Sequence, residues 1–362
     1  MKIAMQFGFY REEGTRDERE IMEYFHKYVS RAGVDVDMLG GEVPDLKKYD
    51  LVHVFGMSEE THDLCRAAAK DGIPTLVTPF YWNEQFPIFY NLESLGRAAG
   101  NGQPELVEKK LDAFYYQKKM VSRRNRQQEF MLKNAKLVFA VGRGEKAQLV
   151  RDFGLKESCV VMLPVGIDLS LGVGKKDTFV EKHKLENFVL CVGRLCRRKN
   201  QHVLIEATRE LDVPLVLIGE PGQDAGYVEH CWSIAHDNAH FFEEVSQAEL
   251  KGAYQAARAY AMPSMFELPG MAYMPAALAG LPVAATCRGA AWHYLGDHAE
   301  YCDPEDEASV LAAVRKCLER EPSKELKDRL LRQFSWGATT VMLVKIYSKI
   351  SEMKFCGRAA GD

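Results

Sequence analysis

Two segments that lie far apart in the chain carry the residues best suited to chemistry. In the first, a short apolar strand ends at Gly193 and is followed by Arg194 and Lys199. In the second, a strand end is followed by Glu267, and then by Gly270 at the start of a helix. Because the carboxyl ends of parallel strands meet at one edge of a sheet, these residues should lie together. Two cations, a carboxylate and a helix start suit a phosphorylated ligand that also carries hydroxyl groups.

The elements that must position these residues alternate between strand and helix. In the first half of the chain we predict strands at 2–9, 51–55, 73–78 and 137–141. In the second half we predict strands at 188–192, 214–218, 259–262 and 282–285. Strands and helices that alternate at this spacing indicate parallel sheets with helices on both faces. The sequence therefore predicts an α/β protein.

The length of the chain favours two domains over one. It has 362 residues, and the glycine-rich stretch 163–174 reads as a linker. We predict a first domain at 1–165, which contains a helical insertion at about 82–133, and a second domain at 175–335.

Charge and composition argue against several classes of protein. The net charge of −4 and the pI near 6.2 disfavour nucleic acid as the main partner, because phosphate backbones attract strongly basic domains. The nine cysteines show no zinc-type spacing, and an odd number without a secretory leader indicates reduced thiols in a cytoplasmic protein. No stretch reaches the roughly 18 apolar residues of a membrane span.

One basic region interrupts the alternation of strands and helices. Residues 82–133 contain no predicted strand, begin with an aromatic run and end in a long helix that is basic near Lys118–Arg126. One interpretation is a solvated helix face. The other is a docking surface for an anionic membrane or a phosphate-bearing acceptor, which would bring a cytoplasmic protein to the inner face of the membrane.

Several motifs resemble those of the family-4 retaining glycosyltransferases, which belong to the glycosyl transferases group 1. The segment 192–200 resembles the family's V-G-R-L-x-x-x-K-N/G, its most specific signature. Residues 263–267 and 277–283 resemble P-S-x-x-E and A-M-A-x-G-x-P-V. Further matches lie at 50–56, 163–168, 217–222, 245–254 and 334–336. The resemblance implies the glycosyltransferase-B fold: two Rossmann-like domains that face a central cleft. It also implies that residues 336–356 form a C-terminal helix that crosses back to the first domain.

The resemblance also implies roles for the residues at the strand ends. Arg194 and Lys199 would hold the diphosphate of the donor and stabilise its growing charge. Glu267 would accept hydrogen bonds from sugar hydroxyls and orient the ring. No metal and no cofactor are expected, and the nucleoside diphosphate sugar is a co-substrate. Further donor-binding candidates are Gly193, Gly219, Glu244, Gly270, Met271, Ala272 and Tyr273, and acceptor-side candidates are Arg11, Gly14, Tyr81 and Trp82.

Two positions depart from the family's pattern. The family's second glutamate, which binds ribose hydroxyls, corresponds to Pro275, which has no side-chain acceptor. Either ribose binding moves to Tyr273, Glu243 or Glu244, or the donor is unusual, or the site is weak. Aromatic residues also stand where many members place a histidine that faces the sugar. His53 lies on an earlier strand, and we interpret it as a buried core histidine.

We therefore predict a retaining, metal-independent glycosyltransferase of the hexosyltransferase type. It would move a sugar from a nucleoside diphosphate to an acceptor hydroxyl on a saccharide or lipid-linked saccharide, in the synthesis of a bacterial polysaccharide, lipopolysaccharide or glycoconjugate. Two alternatives stay open. One is a non-catalytic relative that binds a glycan or a protein, suggested by Pro275 and by the missing histidine. The other is a nucleotide-sugar epimerase or sugar phosphorylase on the same fold. The sequence leaves open the base, the sugar, the acceptor and the oligomeric state.

Overall fold

The chain forms two compact units. A computed structural model describes residues 1–8, 16–40, 43–81, 125–268, 270–321 and 324–358, with the backbone alone for 16–20, 171 and 353–358. The first unit contains residues 1–140, 145–163 and 340–362, and the second contains residues 141–144 and 164–339.

In the described part of the first unit, six strands form one parallel sheet. They are β1 (Lys2–Phe7), β2 (Asp35–Met38), β3 (Leu51–Phe55), β4 (Thr75–Thr78), β5 (Leu137–Ala140) and β6 (Val160–Met162). They lie in the order β2-β1-β3-β4-β5-β6. The central strands β3 and β4 are buried throughout, which explains why the sequence shows them as continuous runs without alternation.

Helices pack on this sheet. They are α1 (Arg16–Arg31), α2 (Glu59–Lys70) and α3 (Arg143–Phe153), and residues 125–134 are also helical. Helix α2 begins at a capping box in which the side chains of Ser58 and Thr61 each accept a hydrogen bond from the other residue's backbone N–H. Its buried face, which includes Leu64 and Ala68, belongs to the same core as Val54 of β3 and so holds α2 on the sheet.

In the described part of the second unit, six more strands form a second parallel sheet. They are β7 (Val189–Val192), β8 (Leu215–Ile218), β9 (Ala239–Phe242), β10 (Ala259–Met262), β11 (Val283–Thr286) and β12 (Glu300–Cys302). Their order is β12-β11-β10-β7-β8-β9. The chain builds outward from β7 in one direction and from β10 in the other, so the strand order reverses between these two. Such a reversal opens a crevice at the carboxyl ends of the two central strands.

Eight helices lie before, between and after the strands in the described part of the second unit. They are α4 (Asp177–His183), α5 (Gln201–Thr208), α6 (Ala225–Ser233), α7 (Gln247–Ala256), α8 (Met274–Ala279), α9 (Ala291–Leu295), α10 (Glu307–Glu319) and α11 (Lys324–Gln333). Helix α7 starts at a capping box made by Ser246 and Glu249. The side chain of Glu249 also meets Lys182 at 2.7 Å and His183 at 3.0 Å, which ties α7 to α4.

The last helix, α12 (Trp336–Arg358), starts in the second unit and belongs to the first from Thr340 onward. Within the first unit, the hydroxyl of Tyr347 on this helix lies 2.5 Å from Nδ1 of His53 on β3. Nε2 of His53 lies 2.8 Å from the hydroxyl of Thr78 on β4. His53 is fully buried, and burial lowers its pKa to about 3, so the ring is neutral. The interpretation of His53 as a satisfied core histidine is confirmed.

The predicted fold class is confirmed by these two parallel sheets with their helices. Each of the eight predicted strands is present, with ends that differ by two residues at most. Four further strands, β2, β6, β9 and β12, escaped prediction. Among the residues that the structure describes, no helix combines the length and the apolar character that a membrane crossing requires.

Candidate functional site

The loop that follows β7 carries the first group of predicted site residues. Gly193 ends the strand, and a Cβ atom on Gly219, at the end of β8, would lie only 2.2 Å from the carbonyl oxygen of Gly193. Glycine at position 219 therefore lets the two strand ends approach closely. The half-buried Arg194 comes next, and its carbonyl accepts a hydrogen bond of 2.8 Å from Nε2 of Gln201 on α5. These contacts fix the backbone from which the Arg194 side chain extends.

Asn200 stabilises the C-terminal end of the loop after β7. This role was not predicted from the sequence. Asn200 adopts a left-handed conformation with φ of 59° just before α5. Its buried Nδ2 donates to the carbonyl oxygens of Pro263, at 3.0 Å, and Pro304, at 2.7 Å. The asparagine therefore joins the loop after β7 to the loops that follow β10 and β12.

Glu267, in the loop after β10, is held by three hydrogen-bond donors. Nζ of Lys199 lies 2.7 Å from its Oε1 atom, the hydroxyl of Ser264 lies 2.7 Å from the same oxygen, and NH1 of Arg198 lies 3.2 Å from it. Among the described residues, no donor contacts Oε2. One oxygen of the carboxylate is thus neutralised by the protein, and the other remains available to a hydroxyl group. The sequence analysis predicted that Lys199 and Glu267 lie close together, as the structure shows, but it did not predict the contacts of Arg198 and Ser264 with Glu267.

The electrostatic environment keeps Glu267 ionised. Burial alone would raise its pKa, but the charges of Lys199 and Arg198 and the hydrogen bonds from Lys199 and Ser264 hold the pKa below its ordinary value. The side chains of Lys199 and Glu267 are 8% and 5% exposed, so water screens this pair only weakly. A carboxylate that stays charged can accept hydrogen bonds but cannot donate them.

Backbone contacts hold Glu267 between neighbouring loops. Met265 N–H donates to the carbonyl of Arg198 at 2.8 Å, which joins the loops after β7 and β10. Ala290 N–H donates to the carbonyl of Glu267 at 2.8 Å, and Glu267 pairs with Gly289 as an isolated bridge. The loops after β7, β10 and β11 therefore form one connected edge.

The helix start predicted at Gly270 differs from expectation. Gly270 has φ of 85° and begins a 3₁₀ turn over Met271–Tyr273, and α8 follows with Pro275 in its first turn. Helix α8 has only six residues, so its dipole is weaker than a full helix would supply. Met271 and Ala272 are half-buried in the 3₁₀ turn.

Tyr273 does not fit its predicted role in ribose binding. Its side chain is fully buried, its hydroxyl donates to the carbonyl of Met262 at 2.9 Å, and the same oxygen accepts from the N–H of Thr286 at 3.2 Å. The residue ties the ends of β10 and β11 together inside the core. Because both bonds would have to break before the hydroxyl could reach a ligand, the assignment of Tyr273 to ribose is corrected.

A shallow depression that is open to solvent lies beside the loop after β7. Gly193, Gly219 and Glu243 line its rim at the strand ends, and Trp232 and Phe242 contribute aromatic surface. Glu243 and Glu244 are both exposed, but only Glu243 lines the depression. Of the two carboxylates that the sequence offered as alternatives for ribose binding, only Glu243 therefore lies at this depression.

The acceptor-side candidates lie mostly outside the described residues. Arg11, Gly14 and Trp82 fall there, as does the basic stretch apart from Asn125 and Arg126. Tyr81 is half-buried in the first unit, where its N–H donates to Glu145 at 2.6 Å and its hydroxyl donates to Asp152 at 3.0 Å. The ring of Tyr81 also meets Phe153 edge-on, so this side chain is fixed on helix α3.

In the part of the chain that the structure describes, no three His, Cys, Asp or Glu side chains come close enough together to hold a metal ion. The expectation that the protein works without a metal or a cofactor stays a prediction.

Comparison with known proteins points to one family. Residues 175–332 match the family described as "Glycosyl transferases group 1". The O-antigen chain mannosyltransferase B of Escherichia coli is 22% identical over 236 residues, which cover 60% of this chain and 61% of that protein. A D-inositol 3-phosphate glycosyltransferase of Corynebacterium diphtheriae is 25% identical over 243 residues, which cover 60% of this chain and 57% of that protein. The aligned parts thus span about three fifths of these relatives.

Solved structures show the same fold along nearly the whole chain. Sucrose-phosphate synthase of Thermosynechococcus elongatus has a TM-score of 0.74 at 17% identity and covers 97% of this chain and 99% of its own. HepE of Anabaena, in complex with UDP-glucose, has a TM-score of 0.70 at 15% identity and covers 96% and 100%. The predicted resemblance to the glycosyl transferases group 1 is confirmed over residues 175–332. Residues 175–332 thus resemble the glycosyl transferases group 1 family, and the chain has the glycosyltransferase-B fold.

Proposed function

We propose that the protein is a retaining glycosyltransferase that takes a sugar from a nucleoside diphosphate and transfers it to an acceptor hydroxyl. In this reaction the bond between the anomeric carbon and the diphosphate oxygen breaks. A bond forms from that carbon to the acceptor oxygen, whose proton is released. The diphosphate leaves with an additional negative charge, which nearby cations stabilise.

The carboxylate of Glu267 is the observation that carries the proposal. Lys199, Arg198 and Ser264 occupy Oε1, and this leaves Oε2 for a ligand at the carboxyl end of β10. An ionised, rigidly held acceptor suits a sugar hydroxyl, because the bond it receives orients the ring for transfer. Because the carboxylate is already held in place before the donor binds, little side-chain entropy is lost on binding.

The cations of the loop after β7 support the diphosphate end of the donor. Arg194 and Lys199 follow β7, the strand beside β10 at the reversal of strand order. An arginine offers a planar pair of donors to phosphate oxygens, and a lysine offers a compact charge. Ligands of open α/β sheets bind at such a reversal, outside the carboxyl ends of the strands.

The donor and acceptor classes follow from the relatives. HepE is described in complex with UDP and with UDP-glucose, which supports a nucleoside diphosphate sugar as the donor here. A mannosyltransferase of O-antigen chains supports a saccharide or lipid-linked saccharide as the acceptor, in the synthesis of a bacterial surface glycan. We propose that the protein works in the cytoplasm and without a metal.

Release of nucleoside diphosphate tests this function. The purified protein is incubated with UDP-, GDP- and ADP-hexoses, with and without hexose and lipid-linked acceptors, and the nucleoside diphosphate is measured. Release that depends on an acceptor supports transfer, and proton NMR of the product shows whether the anomeric configuration is retained. Release without an acceptor, with an epimerised sugar, would indicate the epimerase instead, and a requirement for free phosphate would indicate the phosphorylase.

Variants of two carboxylates sharpen this test. Glu267→Gln removes the charge that faces the ligand, and we expect the rate to fall roughly 100-fold. Glu305→Gln is the matched control, because Glu305 forms its ion pair with Arg288 at the surface, and its rate should not change. Equal rates in wild type and Glu267→Gln would contradict the proposed role of the carboxylate. The absence of turnover with every donor would favour the non-catalytic alternative.

A further inference from the structure

We infer that the depression beside the loop after β7 takes the base of the donor nucleotide, and that Glu243 selects guanine. The inference rests on the proposed function, and it names the donor class as a GDP-sugar. Glu243 would read the base through its carboxylate, while Arg194 and Lys199 hold the diphosphate.

The walls of the depression suit a flat aromatic ring. Trp232 lines it with 46% of its surface exposed, so a large aromatic side chain faces solvent there. Phe242 and Pro221 add further apolar surface. A planar base that covers these side chains removes apolar area from water and gains stacking contacts with the ring of Trp232.

The depression is continuous with the proposed diphosphate site. Gly193, which directly precedes Arg194, lines it, and so does Leu195, which directly follows. The absence of a side chain at Gly219 keeps the rim low where the ends of β7 and β8 meet. A nucleotide whose phosphates contact Arg194 can therefore place its base in the depression along the same edge of the sheet.

Glu243 is the polar side chain of this lining that is left for a ligand. The amide of Gln201 also lines the depression, but its Nε2 donates to the carbonyl of Arg194, and its Oε1 accepts from the hydroxyl of Tyr227 at 3.3 Å and from the N–H of Cys196 at 3.3 Å. No hydrogen bond or ion pair joins the side chain of Glu243 to another residue that the structure describes. Any base that enters the depression therefore meets an acceptor without a competing partner.

The pattern of donors on guanine matches a carboxylate best. Guanine presents two adjacent donors, N1–H and the 2-amino group, so two parallel hydrogen bonds can form with the two oxygens of an ionised carboxylate. Uracil presents one N–H between two carbonyl oxygens, which a carboxylate repels. Adenine and cytosine each present an amino group beside a ring nitrogen that is itself an acceptor. Among the common bases, Glu243 can therefore form the paired contact with guanine alone.

Nucleotide titrations test the selection of guanine. GDP, inosine diphosphate, UDP and ADP are titrated into the wild-type protein by calorimetry. Inosine diphosphate keeps N1–H and the 6-carbonyl but lacks the 2-amino group, so it isolates one of the two proposed hydrogen bonds. We expect GDP to bind about tenfold more tightly than inosine diphosphate, and more tightly than UDP or ADP.

Two variants separate Glu243 from a general effect of charge. Glu243→Gln should remove most of the preference for GDP over inosine diphosphate, because an amide turns a donor toward one of the two donors of guanine. Glu220→Gln is the control, since Glu220 is an exposed carboxylate in the loop after β8 that does not line the depression, and the preference should persist. Thermal melting of each variant confirms that it is folded.

The outcomes distinguish this inference from the proposed function. Tighter binding of UDP or ADP than of GDP would overturn the selection of guanine and leave the transferase proposal standing. An unchanged preference for GDP in Glu243→Gln would overturn the role of Glu243 alone. If none of the four nucleotides bound the wild-type protein, the proposed function would fail together with this inference.

Discussion

At the scale of single residues, the two oxygens of Glu267 have different surroundings. Three donors contact Oε1, among them the buried Nζ of Lys199, whereas the described residues offer no donor to Oε2. The protein thus compensates the buried negative charge through one carboxylate oxygen and leaves the other oxygen able to accept a hydrogen bond. Arg194, Lys199 and Glu267 could be predicted from the sequence, because each follows an apolar run that is recognisable as a strand. Ser264 stands in the P-S-x-x-E match, but its hydrogen bond to Glu267 could not be predicted, because a motif match does not show which atoms a side chain contacts.

Removing Lys199 should destabilise the second unit. In Lys199→Met the buried carboxylate of Glu267 keeps Arg198 and Ser264 but loses its closest cation, so we expect the free energy of unfolding to fall by about 3 kcal/mol. Urea denaturation measures this change. In a Glu267→Gln background the same substitution should cost far less, because no charge is left to compensate. An equal cost in both backgrounds would show that the two side chains are not coupled.

The stabilising effect of Glu267 should depend on pH in a defined direction. Its pKa in the folded protein lies below the ordinary value of 4.5, so the folded state favours the charged form. The stabilisation is fully present above about pH 4.5 and is lost as the pH falls through the lower folded pKa. Urea denaturation of wild type and Glu267→Gln should therefore show a difference in stability that is constant near neutral pH and shrinks in acid. A difference that grows as the pH falls would contradict the direction of this pKa shift.

At the scale of elements, the strands that the sequence failed to reveal are the four edge strands of the two sheets. β2 and β6 close the first sheet, and β9 and β12 close the second. Internal strands such as β4 and β8 are buried at every position, and so appear as continuous runs rich in β-branched and apolar residues. β2 reads Asp-Val-Asp-Met and β9 is half-buried throughout, so neither shows that signal. These four strands were not predicted because edge strands are partly exposed and lack the continuous apolar run of a buried strand.

The close approach of β7 and β8 at their carboxyl ends should not tolerate a side chain. In Gly219→Ala the new methyl group would meet the carbonyl oxygen of Gly193 at 2.2 Å, so the loop carrying Arg194 must shift. We expect a loss of about 2 kcal/mol of stability and at least tenfold weaker nucleotide binding.

Gly33→Ala is the matched control for this substitution. Gly33 also has a positive φ, of 86°, but no atom lies within 4 Å of the position of its added Cβ. Calorimetric titration and thermal melting should show a cost of about 1 kcal/mol from backbone strain and unchanged nucleotide binding. Normal nucleotide binding by Gly219→Ala would show that this close approach is not required.

At the scale of the whole molecule, the chain builds two parallel sheets and then returns to the first unit. Helix α12 begins at Trp336 in the second unit, and its residues from Thr340 onward belong to the first. Within the first unit, its Tyr347 supplies a hydrogen-bond partner to the buried His53 of β3. The family resemblance at 334–336 implies a terminal helix, but the pairing of residues that are 294 positions apart emerges only from the fold.

The contact between helix α12 and the first sheet should contribute measurably to stability. Tyr347→Phe leaves Nδ1 of His53 buried without its partner, so we expect a loss of about 2 kcal/mol in urea denaturation. Lys345→Ala on the exposed face of the same helix is the control and should change stability by no more than about 0.5 kcal/mol. A similar effect of the two substitutions would show that the His53 contact carries no special weight.

The central claim is that the loops at the carboxyl ends of β7 and β10 bind a nucleoside diphosphate through Arg194. Calorimetric titration of the wild-type protein and Arg194→Ala with GDP, UDP and ADP tests it most directly. Arg197→Ala serves as the control, because Arg197 lies in the same loop but forms its ion pair with the exposed Asp224. We predict that one nucleotide binds the wild type and Arg197→Ala with a Kd on the order of micromolar, and binds Arg194→Ala at least about tenfold more weakly. Equal affinity in wild type and Arg194→Ala, or no binding of any of the three nucleotides, would contradict the claim.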